Sequence, residues 1–464
     1  MNEDNSRAAL LTTLRDLAAA GPVGARLPSV RELQRRFQVA PGTVQQVVRQ
    51  LDGEGLVTVR PGAGTFVAPA PRPTRTADLG WQHVALGGHA PPDASRTLAL
   101  HAEPGAGVVR LAGGYLDPTL VPERALSAAL GRVVRRTGAW GRAPVEGIEP
   151  LRQHFAREIG GVDAADVLIT SGGQSALSVA IRALTRPGDP VVLETPTYAG
   201  FISIARSHAL DVHPVPTDAG GLRTDALERV LGTSGARLVV VQPLHANPTG
   251  STLAAERRRE LLALAQSYGA FVLEDDYARD LTIDGAAPPT LMSQDVDGHV
   301  VHVRSLSKPV APALRVAALV ARGPALNRLR AAKTLDDFYV ARPLQEAAVD
   351  FLSSPAWPRH RRTVARELGA RRDTMLAEVR SRLPGAAVDT VPGGGMHLWV
   401  RLPDGVDDVD LAARARGAGV LVSAGSAWFP TEPDAPHLRL TYGETPAPLL
   451  VEGVRRLASV LALG

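Results

Sequence analysis

Residues 69–79 read Pro-Ala-Pro-Arg-Pro-Thr-Arg-Thr-Ala-Asp-Leu, and prolines at alternate positions remove the amide hydrogens and φ freedom that a helix interior or central strand requires. The expectation is an extended, semi-rigid tether. A chain of 464 residues broken there folds as at least two units, a small one in front and a large one behind. Residues 80–107 hold Gly, Pro and Ala with little periodicity and read as loop plus docking segment. The division expected from sequence is therefore 1–68, a linker 69–107, and a body 108–464.

Charge is placed unevenly across that break. Residues 1–75 carry ten arginines against six acidic residues, a surplus of four that equals the formal +4 of the whole chain. A basic front module on a near-neutral body implies a partner that is a polyanion. The 45% hydrophobic and 21% charged residues belong to an ordinary globular protein. The chain has no cysteine, which excludes disulfides, thiolate metal sites and a cysteine nucleophile and agrees with a cytoplasmic setting. Met1 to Arg7 is polar, and no apolar run approaches the roughly 18 residues that a membrane span needs, so neither secretion nor membrane insertion is expected. Of 51 basic residues only Lys308 and Lys333 are lysines, so any chemistry requiring a primary amine has two side-chain candidates.

In the front module, Leu10, Leu11, Leu14 and Leu17 form one stripe of a helix over 7–19 that ends before Gly21-Pro22. Ser29-Val30-Arg31-Glu32 has the capping-box pattern and predicts a helix from Ser29 to about Phe37. A turn at 38–42 follows, and from Thr43 a third helix buries Val44, Val47, Val48 and Leu51 and leaves Thr43, Gln45, Gln46 and Arg49 facing outward. Residues 56–60 and 65–67 read as two strands about the glycine-rich turn 61–64. Helices followed by a strand wing make a winged helix-turn-helix. The stretches L-P-S-V-R-E-L, T-V-Q-Q-V-V-R-Q-L-D-G-E-G-L-V and R-P-G-A-G-T-F-V, at this spacing, resemble the GntR family. The resemblance implies DNA contacts at Arg31, Thr43, Gln45, Arg49, Arg60 and the backbone near Gly64. The physics agrees: a helix fits the major groove, Arg and Gln pair bidentately with base edges, and wing amides meet phosphates. Pro41-Gly42 departs from the family, which often has a polar or basic residue there.

The body alternates apolar strands, at 167–170, 191–194, 238–241 and 271–273, with amphipathic helices, a rhythm that implies a mostly parallel sheet covered by helices. Active groups are expected where strand ends meet loops. Ser171-Gly172-Gly173-Gln174 ends a strand and opens a helix, where free amides can hold a phosphate. Tyr198 follows the next strand, Asn247 lies in an N-P-T-G turn, Asp275 and Tyr277 stand in an E-D-D-Y run, and Ser305-Leu306-Ser307-Lys308 is followed by Arg315. Arg439 alternates with Leu438 and Leu440 on a strand near the C-terminus. Residues 358–362, Pro-Arg-His-Arg-Arg, form a basic cluster that reads as a solvated helix face, with a DNA contact as the alternative.

In this order the constellations resemble the fold-type I, aminotransferase-like pyridoxal-phosphate proteins over nearly all of 108–464. The resulting fold expectation is multidomain: a winged helix-turn-helix joined to an α/β body of the aminotransferase type. The resemblance implies pyridoxal 5'-phosphate as cofactor, with Lys308 forming the Schiff base and Gly172, Gly173, Gln174, Ser305, Ser307 and Arg315 holding the phosphate. Tyr198 stacks on the ring, Asn247 and Tyr277 share the phenolic oxygen, and Asp275 pairs with the pyridinium nitrogen, although Asp276 is a one-residue alternative. Arg439 is implied as a bidentate clamp for a ligand carboxylate. Two departures stand out: Ala317 where glycine is frequent, and Trp140-Gly141 where a tyrosine commonly reaches the neighbouring subunit.

The two modules together resemble the MocR/GabR class of transcription regulators. That implies a homodimer binding promoter double-stranded DNA, with an amino compound or pyridoxal phosphate itself as effector, acting through an aldimine at Lys308. A genuine aminotransferase with an accessory DNA-binding head is the second reading, and a scaffold without cofactor the third. No metal site is expected.

Overall fold

Leu10, Leu14 and Ala18 fall on one face of the first helix and are buried, whereas Leu17 is left exposed. The stripe is thus one position displaced from the expected one. The computed structural model describes residues 3–69, 79–87, 98, 105 and 107–462, and divides the chain into units Met1–Pro91 and Pro92–Gly464. The expected tether at 69–79 lies almost wholly outside the described residues. In the first unit, helices α1 (Glu3–Ala20), α2 (Val30–Phe37) and α3 (Pro41–Gly53) close over Leu33, Val44, Val47 and Leu51. Strands β1 (Val57–Arg60) and β2 (Gly64–Val67) pair antiparallel, and contribute Val57 and Val67 to the same core. Ser29 caps α2 by accepting from the Glu32 amide at 3.3 Å.

Two expectations need correction here. Helix α3 begins at Pro41, not Thr43, because proline at a first helical position has no amide to satisfy and brings a suitable φ. Part of the segment read as loop, Gly80–Leu86, is a helix, α4. Its apolar side chains are exposed, so no burial pattern marked it in the sequence.

The second unit is built on an eight-stranded sheet of β3 (Val167–Thr170), β4 (Pro190–Thr195), β5 (Asp211–Asp218), β6 (Gly221–Leu222), β7 (Leu238–Val241), β8 (Phe271–Asp275), β9 (Val300–Ser305) and β10 (Ala317–Val320). Their order is β3-β10-β9-β8-β7-β4-β5-β6. Strands β9, β8, β7, β4 and β5 pair in parallel, while β10 runs antiparallel to both its neighbours. Their runs of Val, Leu and Ile are buried on both faces, as a sheet covered on two sides requires. A smaller sheet of β11 (His397–Arg401), β12 (Ser423–Ala424) and β13 (His437–Thr441) carries a separate apolar cluster.

The chain enters the second unit through a short strand, Val109–Arg110, paired with Val420–Leu421. It then passes along β13, where the Thr441 amide donates to Leu111 O at 2.8 Å and the Thr441 hydroxyl to Gly113 O at 2.6 Å. Glycine is required at 113: a Cβ there would lie 1.6 Å from Glu444 Oε2.

Leu51→Ala should destabilise the first unit by about 3 kcal/mol and the exposed Leu17→Ala by less than about 0.5 kcal/mol, read as amide-exchange protection in α1 and α3. Gly113→Ala should cost about 1–3 kcal/mol through overpacking, measured by thermal melting. Adding Glu444→Ala should recover much of that loss, since it removes the atom in the way.

Candidate functional site

Five parallel or equivalently directed strand ends deliver the expected residues to one edge of the main sheet. β3 runs into Ser171-Gly172, β4 leads to Tyr198, β7 to Gln242 and Asn247, β8 ends at Asp275, and β9 ends at Ser305 and leads to Lys308. Because β10 is antiparallel, Arg315, which precedes it, arrives at the same edge. A cavity of about 380 Å³ is lined there by Gly173, Gln174, Tyr198, Asn247, Asp275, Tyr277, Ser305, Ser307, Lys308, Arg315 and Arg439. Of the residues expected in this body, only Gly172 is not in the lining, and it lies directly behind Arg315.

One end of the cavity suits a phosphate. Helix α5 (Gly173–Leu184) has Gly172, φ +93°, as its N-cap residue and no side-chain cap, so its first amides are left for a ligand. A Cβ at Gly172 would come within 2.5 Å of Arg315 Nη2, and one at Gly173 within 3.3 Å of Ser305 Cβ. Arg315 is itself held by the Ser171 carbonyl at 2.7 Å. Tyr198 donates to Gln174 Oε1 at 3.2 Å, which ties the ring to the same helix.

At the other end are the groups of strand β8. Alternation along an extended strand sends Asp275 into the cavity and Asp276 to the opposite face. There Asp276 pairs with Arg279, and of the two carboxylates it is Asp275 that lines the cavity. Asp275 accepts from Gln242 Nε2 at 2.7 Å, and burial pushes its carboxyl up to about 7. Behind it Glu194, deeply buried, accepts from the Gln242 amide at 2.8 Å and is pushed up to about 8. A cation brought against Asp275 would reverse the desolvation effect.

Lys308 Nζ donates to Gly114 O at 2.7 Å and stands 3.7 Å above the Tyr115 ring. Burial, then the neighbouring Arg439, lower its pKa to about 7. The other lysine, Lys333, is buried in a helix and bound to Asp337 at 2.8 Å and Phe338 O at 2.9 Å, a structural pairing away from the cavity. Tyr277 donates to His245 O at 2.9 Å.

Arg439 is in the cavity but not as an open fork. Its Nη2 donates to the carbonyls of Ala112 and Gly113, its Nη1 to Asn247 Oδ1 at 3.3 Å, and its guanidinium lies 4.2 Å from the Trp428 ring centroid. Burial lowers its pKa to about 9, and Nε is buried without a partner. Arg439 Nη1 also approaches His397 Nε2 at 3.5 Å. The Thr441 hydroxyl already donates to Gly113 O, so it accepts from His397 Nδ1 at 3.0 Å and leaves Nε2 as a lone pair toward Arg439. Burial holds His397 neutral, its pKa well below the usual histidine value.

Sequence reasoning missed Gly114, Tyr115, Gln242 and His397 in this lining. Gln242 was the most accessible of them, since it directly follows the predicted strand 238–241. Trp140 is 78% exposed and Ala317 fully buried against Thr170 and Ser305.

In the first unit, Gln45 and Arg49 are exposed on α3 and Thr43 is half-buried; Arg31 is exposed in the first turn of α2. Arg60 pairs in register with Gly64 across the wing and covers the Phe66 ring at 4.8 Å. Arg26, which the sequence reading passed over, lies against Gly64, where a Cβ would be 3.0 Å from its Nε.

Comparison with known proteins agrees with both halves. Residues 113–457 match the model of aminotransferase class I and II, and residues 14–67 that of bacterial regulatory proteins, gntR family. The chain is 31% identical to the HTH-type transcriptional regulator TauR of Rhodobacter capsulatus, covering 94% of this chain and 92% of that protein. It is 31% identical to the uncharacterized HTH-type transcriptional regulator YjiR of Escherichia coli, over 87% of each. Among solved structures it resembles LysN, the alpha-aminoadipate aminotransferase of Thermus thermophilus, complexed with N-(5'-phosphopyridoxyl)-L-leucine. The TM-score is 0.76 and the identity 32%, covering 82% of this chain and 98% of that one. The chain therefore belongs to the aminotransferase class I and II family and carries a GntR-type DNA-binding domain at its front.

Proposed function

We propose that this regulator is of the MocR/GabR type and carries pyridoxal 5'-phosphate on Lys308 as the sensing group for an amino compound, or for the cofactor's own supply. The observation that carries the reading is Lys308 itself. In a chain whose other basic residues are almost all arginine, an amine stands in a cavity beside a phosphate-sized cradle, with a pKa near 7. Guanidinium cannot replace it in imine chemistry.

The donor set fits the cofactor. Gly172, Gly173, Gln174, Ser305, Ser307 and Arg315 would hold its phosphate, Tyr198 would pack on its ring, Asn247 and Tyr277 would meet its phenolic oxygen, and Asp275 would face its ring nitrogen. When bound, the cofactor supplies a reactive carbonyl and an electron-withdrawing ring. The chain does the rest: Lys308 presents an amine that is substantially unprotonated at neutral pH, Asp275 fixes the ring nitrogen, and Arg439 receives a ligand's carboxylate after leaving the carbonyls of Ala112 and Gly113. The DNA-facing residues are Arg31, Thr43, Gln45, Arg49, Arg60 and the wing at Gly64, on a domain 1–68 joined through 69–107 to the body 108–464. The assembly is a cytoplasmic homodimer on promoter DNA. A ligand regulates only by favouring one arrangement of the two heads over another. The complete cavity also supports residual transamination, and multiple-turnover release of an oxo-acid would establish that second reading.

Borohydride reduction of the purified protein with pyridoxal 5'-phosphate should leave an adduct on Lys308 by peptide mass spectrometry. An adduct elsewhere, or none, sinks the proposal. Arg49→Ala should weaken promoter binding in a mobility assay by about tenfold, the worth of one good base or phosphate contact, and leave the cofactor spectrum unchanged.

The pH dependence follows from Lys308. Its pKa is lowered to about 7, so the reactive, neutral amine is scarce below that value and dominant above it. The rate of cofactor capture by the apo protein, followed by absorbance in stopped flow, should rise through about pH 7 and level off above about pH 8. A rate still climbing toward the ordinary lysine range would contradict the depressed pKa.

A further inference from the structure

Arg304 immediately precedes Ser305 on β9, and strand alternation turns it away from the cofactor-type cavity to the other face of the sheet. There it joins Arg279, Arg361 and Arg362 around a second cavity of about 560 Å³, with Asp280 and Glu158. Arg361 and Arg362 belong to the basic cluster 358–362, at the start of α6 (Ala356–Arg382). The loop 285–287, Gly-Ala-Ala, forms another wall and contributes almost no side-chain bulk.

Four guanidinium groups face two carboxylates in the lining and a third, Asp276, behind Arg279, which leaves an excess of positive charge, and all three carboxylates are already engaged. Asp280 accepts from Arg304 Nη2 at 2.9 and 3.1 Å and lies 3.4 Å from Arg361 Nε. Glu158 lies 3.6 Å from the same Arg304 nitrogen. Arg279 is anchored by Asp276 and by Pro288 O at 2.8 Å, yet its Nη2 is buried without a hydrogen-bond partner. Arg362 has no acidic partner among the described residues. The walls are thus rich in donors and short of acceptors.

We propose that this cavity is a second ligand site, taking a small oxyanion, either a carboxylate or a phosphate, between Arg279, Arg361 and Arg362. Guanidinium groups bind both chemistries through paired, charge-assisted hydrogen bonds. Four separate segments, at 158, 279–287, 304 and 358–365, surround the space, a recessed shape that suits a small molecule better than a duplex backbone.

The test is isothermal titration calorimetry of the full-length protein with inorganic phosphate and, separately, with succinate, so that the two sources of anion are distinguished. The unmodified chain, the Arg361→Ala/Arg362→Ala pair and Arg315→Ala are compared. Saturable binding of at least one anion at the second cavity should weaken about tenfold or more in the paired variant, the loss expected for charged hydrogen bonds, and should persist in Arg315→Ala, which removes only anion held in the first cavity. Both arginines of the pair are exposed, so folding is not at stake. Loss only in Arg315→Ala would place the anion in the first cavity and overturn the proposal. So would no saturable heat with either anion, or a paired variant whose sole defect is weaker binding to duplex DNA.

Discussion

Two cations, Lys308 and Arg439, are buried in one cavity, and the way they are accommodated dictates much around them. Each loses its hydration, and the Arg439 charge further lowers the proton affinity of Lys308. The chain answers with backbone oxygen. The carbonyls of Ala112 and Gly113 accept from Arg439 and that of Gly114 from Lys308, while the faces of Trp428 and Tyr115 cover the two charges. Glycine at 113 is set instead by Glu444, whose carboxylate occupies the space of a Cβ. Asp275 and Glu444 add opposite charge, although desolvation holds both carboxyls above their ordinary range. The resulting cavity is electropositive without being saturated by carboxylates, a setting suited to a ligand that brings its own negative groups.

The fold was largely legible because it rests on local patterns. Buried runs of Val, Leu and Ile separated by helical periodicity specify a covered parallel sheet, and glycine, proline and capping signals specify the winged head. The cavity was legible wherever a motif closed a strand, since the ends of parallel strands share an edge. Its remaining members are partners across hundreds of residues: Gly113 reaches Arg439 over 326 positions, and Gly114 reaches Lys308 over 194. No local pattern announces such a contact. His397 was equally silent, because its importance lies in a hydrogen-bond chain through Thr441 to Gly113 rather than in its spacing.

Where the sequence reading missed, competing local physics was at work. Pro41 looks like a helix breaker but serves at the first helical position, where its missing amide costs nothing. Leu17 extends the apolar stripe of α1 on paper, yet the narrower face of Leu10, Leu14 and Ala18 suffices to cover α3. The E-D-D-Y run offered two carboxylates, and only the face of the sheet on which each falls separates Asp275 from Asp276.

The same segment that quiets the two cations is the place where the chain, coming from the linker, joins the body. On the proposed function, a ligand carboxylate that takes up Arg439 competes with the carbonyls of Ala112 and Gly113, and a carbonyl group captured by Lys308 competes with Gly114. Both events therefore release the same few residues, which continue directly into Val109–Arg110 and its pairing with Val420–Leu421. On that reading, occupancy of the cavity bears directly on the segment by which the chain enters the body. The effect requires only that the segment hold one conformation when its carbonyls are engaged by the cations and another when they are not.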